Sequence, residues 1–203
     1  MAQKPMSAKR RARGAVENAE EIEVLASPTR IELIDTLEAL GGDASVAELA
    51  SQLGRPADGL YYHLRQLAAA GLIVEETTAE GKRYHPRTRG EGLRLRYRPG
   101  ATANAKAVGG VAASVLRIAG RDFKRALADP DTRVEGPLRE LWAARGKGWV
   151  GPTELAEINR LLTRLTMLLR RPRSATRDRL IVLSWILAPI DAKPARRAQR
   201  AAR

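Results

Sequence analysis

Five side chains between residues 55 and 65 have the chemistry to read a polyanion. Arg55, Asp58, Tyr61, Tyr62 and Arg65 are spaced so that a helix, turning 100° per residue, gathers Arg55, Asp58, Tyr62 and Arg65 on one side with Tyr61 on its flank. Two guanidinium forks can donate to guanine edges or to phosphate oxygens, and the phenols can hydrogen-bond phosphate or pack on thymine methyls. Asp58 would repel phosphate, so on such a face it accepts from a cytosine amine or braces an arginine. The opposite side is apolar: Leu60, Leu64 and Leu67 fall at i, i+4 and i+7 and define a buried stripe.

Such a face needs rigid neighbours. Ser27 before Pro28 is a start signal for a helix through Ile31, Leu33, Ile34, Leu37 and Leu40, stopped by Gly41-Gly42. Ser45 with Glu48 three residues on is a capping box, opening a short second helix through Leu49 and Leu53 to Gly54. Arg55-Pro56 starts the third helix, over residues 56 to 70, and Gly71 ends it. Leu72-Ile73-Val74 and Gly81-Lys82-Arg83-Tyr84 then read as two short strands joined by a loop. The amide ends of the helices at Ser45 and Pro56 are natural phosphate sites.

The stretch from Leu25-Ala26-Ser27-Pro28-Thr29-Arg30, through Leu60-Tyr61-Tyr62-His63-Leu64-Arg65-Gln66-Leu67 and Ala70-Gly71-Leu72-Ile73, to Gly81-Lys82-Arg83-Tyr84 resembles the ArsR-type winged helix-turn-helix of bacterial transcription regulators. The resemblance covers roughly residues 17 to 87. It implies that the third helix enters the major groove of double-stranded DNA and that the wing, Thr77 through Arg83, touches backbone or minor groove. Residue chemistry and resemblance together give a DNA-binding set of Ser45, Arg55, Pro56, Asp58, Tyr61, Tyr62, Arg65, Lys82 and Arg83. Metal-sensing members of that family carry a cysteine motif on the second helix, where this chain has Ser45-Val46-Ala47-Glu48-Leu49-Ala50. With no cysteine in the chain and only His63 and His85 as imidazoles, neither a metal site nor a cofactor is expected. His63 lies about 60° from the centre of the buried stripe and reads as a packed, hydrogen-bonded side chain, with a base contact second. His85, before Pro86, reads as a surface residue.

In the second half, Leu93, Leu95 and Tyr97 alternate with Arg94, Arg96 and Arg98, a strand pattern with one buried and one cationic face. That arginine row could bind an anionic ligand; the blander reading is a solvated sheet face. Val108, Val111, Ala112, Val115, Leu116, Ala119 and Phe123 predict a long amphipathic helix from about Thr102 to Leu127, broken at Asp129-Pro130-Asp131. Gly109-Gly110 inside it suggests close helix packing or a bend. Leu138 to Ala143 and Trp149-Val150, around a glycine turn, predict a hairpin; Gly151-Pro152 opens a helix with Leu155, Ile158, Leu162, Leu165 and Leu169 on one stripe; Leu180 to Leu187 reads as a buried strand. The expected fold class is therefore α+β, an N-terminal winged helix-turn-helix followed by a small β-α-β-β-α-β, ferredoxin-like domain. Phe123, Trp142, Trp149 and Trp185 could line a small-molecule effector pocket, against the blander reading of core filling.

The 203 residues carry 36 Lys and Arg against 23 Asp and Glu, a net charge of +13, and ten of those excess charges sit at the two ends: Lys4, Lys9, Arg10, Arg11 and Arg13, then Lys193, Arg196, Arg197, Arg200 and Arg203. Residues 1–13 and 193–203 read as disordered basic arms, residues 14–90 as the DNA-binding domain, and 91–192 as an α+β dimerisation or effector domain. The longest apolar stretch, Leu180 to Ile190, is broken by Ser184 and Pro189 and falls short of the roughly 20 residues that span a bilayer. The basic start leads into Glu17, Glu20, Glu21 and Glu23 rather than an apolar run, so no secretory signal is expected. No catalytic motif appears, and an enzyme is not expected. The sequence leads to a cytoplasmic, homodimeric, sequence-specific DNA-binding regulator. Its rival is a non-specific architectural nucleic-acid binder driven by the basic arms.

Overall fold

The computed structural model describes residues 15–88 and 93–190; the basic arms expected at 1–13 and 193–203 lie outside the described residues. The chain opens with a two-residue strand, β1 (Ala15–Val16), and α1 (Ala19–Leu25), which Asn18 caps by accepting from the Glu20 amide at 3.0 Å. Next come α2 (Pro28–Ala39), β2 (Ala44–Ser45) and α3 (Val46–Leu53). Ser27 is extended before Pro28 and makes no side-chain cap bond, so the proline's fixed φ sets the start of α2. Gly54, left-handed at φ 62°, ends α3 and turns the chain toward α4 (Asp58–Ala69).

The predicted hairpin is β3 (Ile73–Thr78) and β4 (Gly81–Pro86), antiparallel from Ile73 opposite Pro86 to Thr78 opposite Gly81. β2 adds a third strand that the pattern did not announce, in the order β2-β4-β3, with Ala44 opposite Tyr84 and Ser45 opposite Arg83. Two residues are too short to leave a period. The core gathers Ile22, Leu33, Leu37, Leu49, Leu60, Leu64, Leu67, Leu72 and Tyr84, which includes the whole predicted stripe of α4.

β5 (Arg94–Leu95) pairs in parallel with β1, and α5 (Thr102–Ala128) follows as predicted. Leu93 and Leu95 are partly buried, but Tyr97 is exposed, because β1 offers only two residues of ladder. α5 lies along α1 and α2, and its Ala107 and Val111 enter the common core. Two polar side chains fix it there. Asn104, buried, accepts from the Arg98 amide at 2.9 Å and donates to the Arg96 carbonyl at 3.2 Å; Ser114 donates to the Ala26 carbonyl at 2.7 Å.

Beyond α5 the structure departs from the ferredoxin-like expectation. α6 (Pro152–Leu169) is present, but 138–143, 149–150 and 180–187 form no ladder, and only an isolated bridge, Ser174 to Arg177, is found there among the described residues. The reason is physical: an alternating or apolar run becomes a strand only when a neighbouring edge and a layer to cover it exist. In the single chain these segments meet neither, and Leu138, Val150, Leu180 and Val182 are exposed.

Candidate nucleic-acid interface

α4 holds its buried stripe against the core and presents Asp58, Tyr61, Tyr62 and Arg65 outward. Tyr61 is 41 % and Tyr62 55 % exposed, so both phenols are available while their rings keep contact with the helix. Tyr62 leans edge-on against His63, ring centroids 5.3 Å apart. Arg65 is exposed and has no hydrogen-bond or ion-pair partner among the described residues. Pro56 is exposed in the turn before α4, whose N terminus has no side-chain cap. These residues form one continuous face.

Arg55 does not join it. Its guanidinium turns inward, donating to Thr29 Oγ1 at 3.0 Å and to Glu32 Oε2 at 2.8 Å. The other Glu32 oxygen accepts from Arg121 of α5 at 2.6 Å. Position 55 lies before the helix begins, so the helical projection that placed Arg55 beside Arg65 does not apply to it.

The expected phosphate site at Ser45 is filled by the chain's own carboxylate. Glu48 Oε2 accepts from the Ser45 amide at 2.7 Å and from its hydroxyl at 2.8 Å, and the Glu48 amide donates back to Ser45 Oγ at 3.2 Å. The Ser45 amide, then its hydroxyl, hold the Glu48 carboxyl below the usual carboxylate range, with Arg83 helping. Arg83 itself pairs with Asp43 and, at 3.4 Å, with Glu48. Lys82 pairs with Glu75 at 2.6 Å, and this bond is the main cause of the lowered Glu75 pKa. Tyr84 donates to the other Glu75 oxygen at 3.1 Å; burial first, and that bond second, push its hydroxyl up to about 12. The wing is therefore braced by its own acids. Asp43, Glu75 and Glu32 were invisible as partners because each pairing crosses seven or more residues, up to 89, and spacing carries no signal over such gaps.

His63 is packed, but its Nδ1 is buried without a hydrogen-bond partner among the described residues. Burial, then the charges of Arg30 and Arg55, lower its pKa. His85 is half-buried rather than on the surface, with Nδ1 3.1 Å from the Pro86 carbonyl. Arg96 and Arg98 converge on Glu17, the latter at 2.5 Å, so two of that row's three arginines are spent inside the chain. Of the four aromatics considered for a pocket, Phe123 is half-buried on α5, Trp142 lies under the Arg139 guanidinium on an exposed segment, and Trp149 is 90 % exposed, with Trp185 exposed too. Among the described residues, neither a lined pocket nor a packed core surrounds the tryptophans.

α2 packed behind, α3 turned by the left-handed Gly54 into α4, and a hairpin after α4 form one arrangement, and residues 25–76 match the family described as a helix-turn-helix domain. The chain carries a helix-turn-helix DNA-binding domain. Its kind is that of the winged helix-turn-helix families, and the match takes in α2, α3, α4 and most of β3. No curated protein matches the chain. No helix among the described residues is long and apolar enough to cross a membrane.

Proposed function

We propose that this helix-turn-helix protein is a cytoplasmic transcription regulator that binds as a homodimer and reads a two-fold symmetric site through α4. The observation that carries the reading is the outward face of α4: two exposed phenols beside an unpaired guanidinium, on a helix whose other side is locked in the core. Such a face supplies directional donors at fixed positions, the requirement for base readout as opposed to mere phosphate neutralisation. One short helix reads a half-site, so a second copy supplies the other half, roughly 34 Å away along the duplex. Residues 91–192 would then serve dimerisation.

One observation favours the architectural alternative. The wing cations Lys82 and Arg83 are already paired with acids, and ten of the thirteen excess charges lie in the terminal arms. Selection of random duplexes by the full chain, at near-physiological salt with competitor DNA, separates the two. Enrichment of a symmetric site that Arg65→Ala and Tyr62→Ala abolish supports the regulator. Indiscriminate binding with a steep salt dependence, unchanged in both variants, overturns it.

A further inference from the structure

Two exposed side chains of α4 lie on one line along its outer face. Asp58 stands in the first turn and Arg65 seven residues later, and at 100° per residue they project within about 20° of each other. Along the axis they are ~10.5 Å apart. Tyr61 and Tyr62 flank that line, about 60° to one side of Asp58 and about 40° to the other. Neither Asp58 nor Arg65 has a hydrogen-bond or ion-pair partner among the described residues.

Asp58 therefore braces no arginine. The Arg55 guanidinium is turned inward to Thr29 and Glu32, and Arg65 stands unpaired two turns away. A carboxylate carries only acceptors and is repelled by phosphate, so the strand backbones are the part of a duplex it is kept from. In the major groove it needs an amine, and cytosine N4 presents one. Adenine N6 presents another, but beside the N7 acceptor, which a carboxylate would meet unpaired. Where Asp58 looks into the groove, Arg65 on the same line looks into it too. A guanidinium fork fits the adjacent O6 and N7 acceptors of guanine.

We propose that Asp58 and Arg65 are base-selecting side chains of α4, Asp58 taking a cytosine and Arg65 a guanine, on base pairs at most about three steps of roughly 3.4 Å apart. The inference deepens the reading of α4 given above, on which it rests, and does not depend on a second copy. Opposite charges at the two ends of the line choose opposite partners. Asp58 rejects guanine and thymine, which offer it only acceptors, and Arg65 rejects cytosine, which offers it only an amine.

The test uses the full chain. Selection from random duplexes at near-physiological salt with competitor DNA gives the site; fluorescence anisotropy then follows binding to duplexes carrying each of the four base pairs at each selected position. The parent is expected to select two G·C pairs within about three steps of each other, and to lose about 5- to 150-fold when either is changed. Asp58→Ala is expected to lose discrimination at the cytosine and keep it at the guanine, and Arg65→Ala the reverse. Asp58→Asn and Arg65→Gln should each turn the preference at its own position to adenine, whose N6 and N7 an amide matches. Both side chains are exposed and unpaired, so thermal melts of the variants should match the parent. Lower salt strengthens phosphate contacts without regard to sequence and keeps the weakened variants measurable.

A parent that selects no sequence overturns the reading of α4 itself, and this inference with it. A selected site without the two pairs leaves the regulator standing and overturns the assignment. So does an alanine variant whose preference is unchanged; an unchanged Asp58→Ala protein would show that the acid serves only the start of the helix. Loss of discrimination at every position in both variants overturns it as well, because the two residues would then hold the helix in place rather than select bases.

Discussion

Glu32 and Arg55 are joined at 2.8 Å, across the space between α2 and the turn that leads into α4. Glu32 is well shielded, and its second oxygen holds Arg121 of α5. One carboxylate thus ties the approach to α4 to the two helices behind it. Arg55 cannot reach a base without leaving Glu32 with one partner. Arg55→Ala and Glu32→Gln are each expected to cost on the order of 1–3 kcal/mol, the worth of charged hydrogen bonds removed from a half-buried site. For a chain of this size that lowers Tm by roughly 2–4 °C per kcal/mol. Urea unfolding of the two variants and their double mutant would show the coupling, and duplex selection would show an unchanged preferred sequence. A full-stability Arg55→Ala protein that has lost its preference would return Arg55 to the reading face.

Arg65 is the counterpart on the same stretch of chain: exposed, unpaired and central on the outer face of α4. Arg65→Ala is expected to leave Tm within about 1 °C, because no native contact is removed. Its specific complex should weaken by about 5- to 150-fold, the span of 1–3 kcal/mol for one well-placed arginine contact. Arg83→Ala should do the reverse, loosening the wing while changing the salt slope of binding by less than about 1. Fluorescence anisotropy over a salt series, with thermal melts alongside, distinguishes them. Equal losses of affinity would place the wing cation on DNA after all.

Local grammar carried much of this fold. The Ser45–Glu48 box, the proline at the start of α2, the Leu60, Leu64 and Leu67 stripe and the long run of α5 were readable because each depends on residues within a few turns of one another. Partners distant in sequence were not readable. Nothing near Arg83 announces Asp43, and nothing near Arg55 announces Glu32, yet in the structure both cations, like Lys82 with Glu75, pair with acids of the chain itself. The segments 138–150 and 180–187 failed for a related reason. Their apolar content fits strands, but strand formation depends on pairing with an edge, and among the described residues these segments pair with none.

His63 gives the domain an acid-side weakness. Burial, then Arg30 and Arg55, keep its folded pKa below the ordinary value near 6.5, and its Nδ1 has no partner to repay protonation. Above pH 7 the ring is neutral in both states and contributes nothing to the pH dependence. Below about 6.5 the unfolded chain takes a proton that the folded one refuses. Stability therefore falls as pH drops through that value, and levels off once the folded ring titrates. His63→Gln removes this loss, so the variant should gain on the parent between pH 8 and pH 5. Urea midpoints at the two pH values test it; a constant difference would mean that His63 is as well hydrated in the fold as out of it.

Gly109 and Gly110 are neighbours on α5 with opposite surroundings. A Cβ at Gly109 would meet nothing within 4 Å, whereas one at Gly110 would stand 3.1 Å from Ala26 Cβ at the end of α1. The space at Gly110 is what lets α1 and α5 approach closely. One turn later Ser114 holds the Ala26 carbonyl at 2.7 Å, so α1 cannot withdraw without stretching that bond. Gly109→Ala should stabilise the chain by about 0.5–1 kcal/mol, the helix-interior preference for alanine. Gly110→Ala should forfeit most of that gain to the forced shift, and Gly110→Val should cost about 1–3 kcal/mol from overpacking. Chemical denaturation of the three variants provides the comparison. Equal stabilisation by alanine at both positions would mean that α1 and α5 do not meet at Ala26, and would remove the contact that sets α5 against the helix-turn-helix domain.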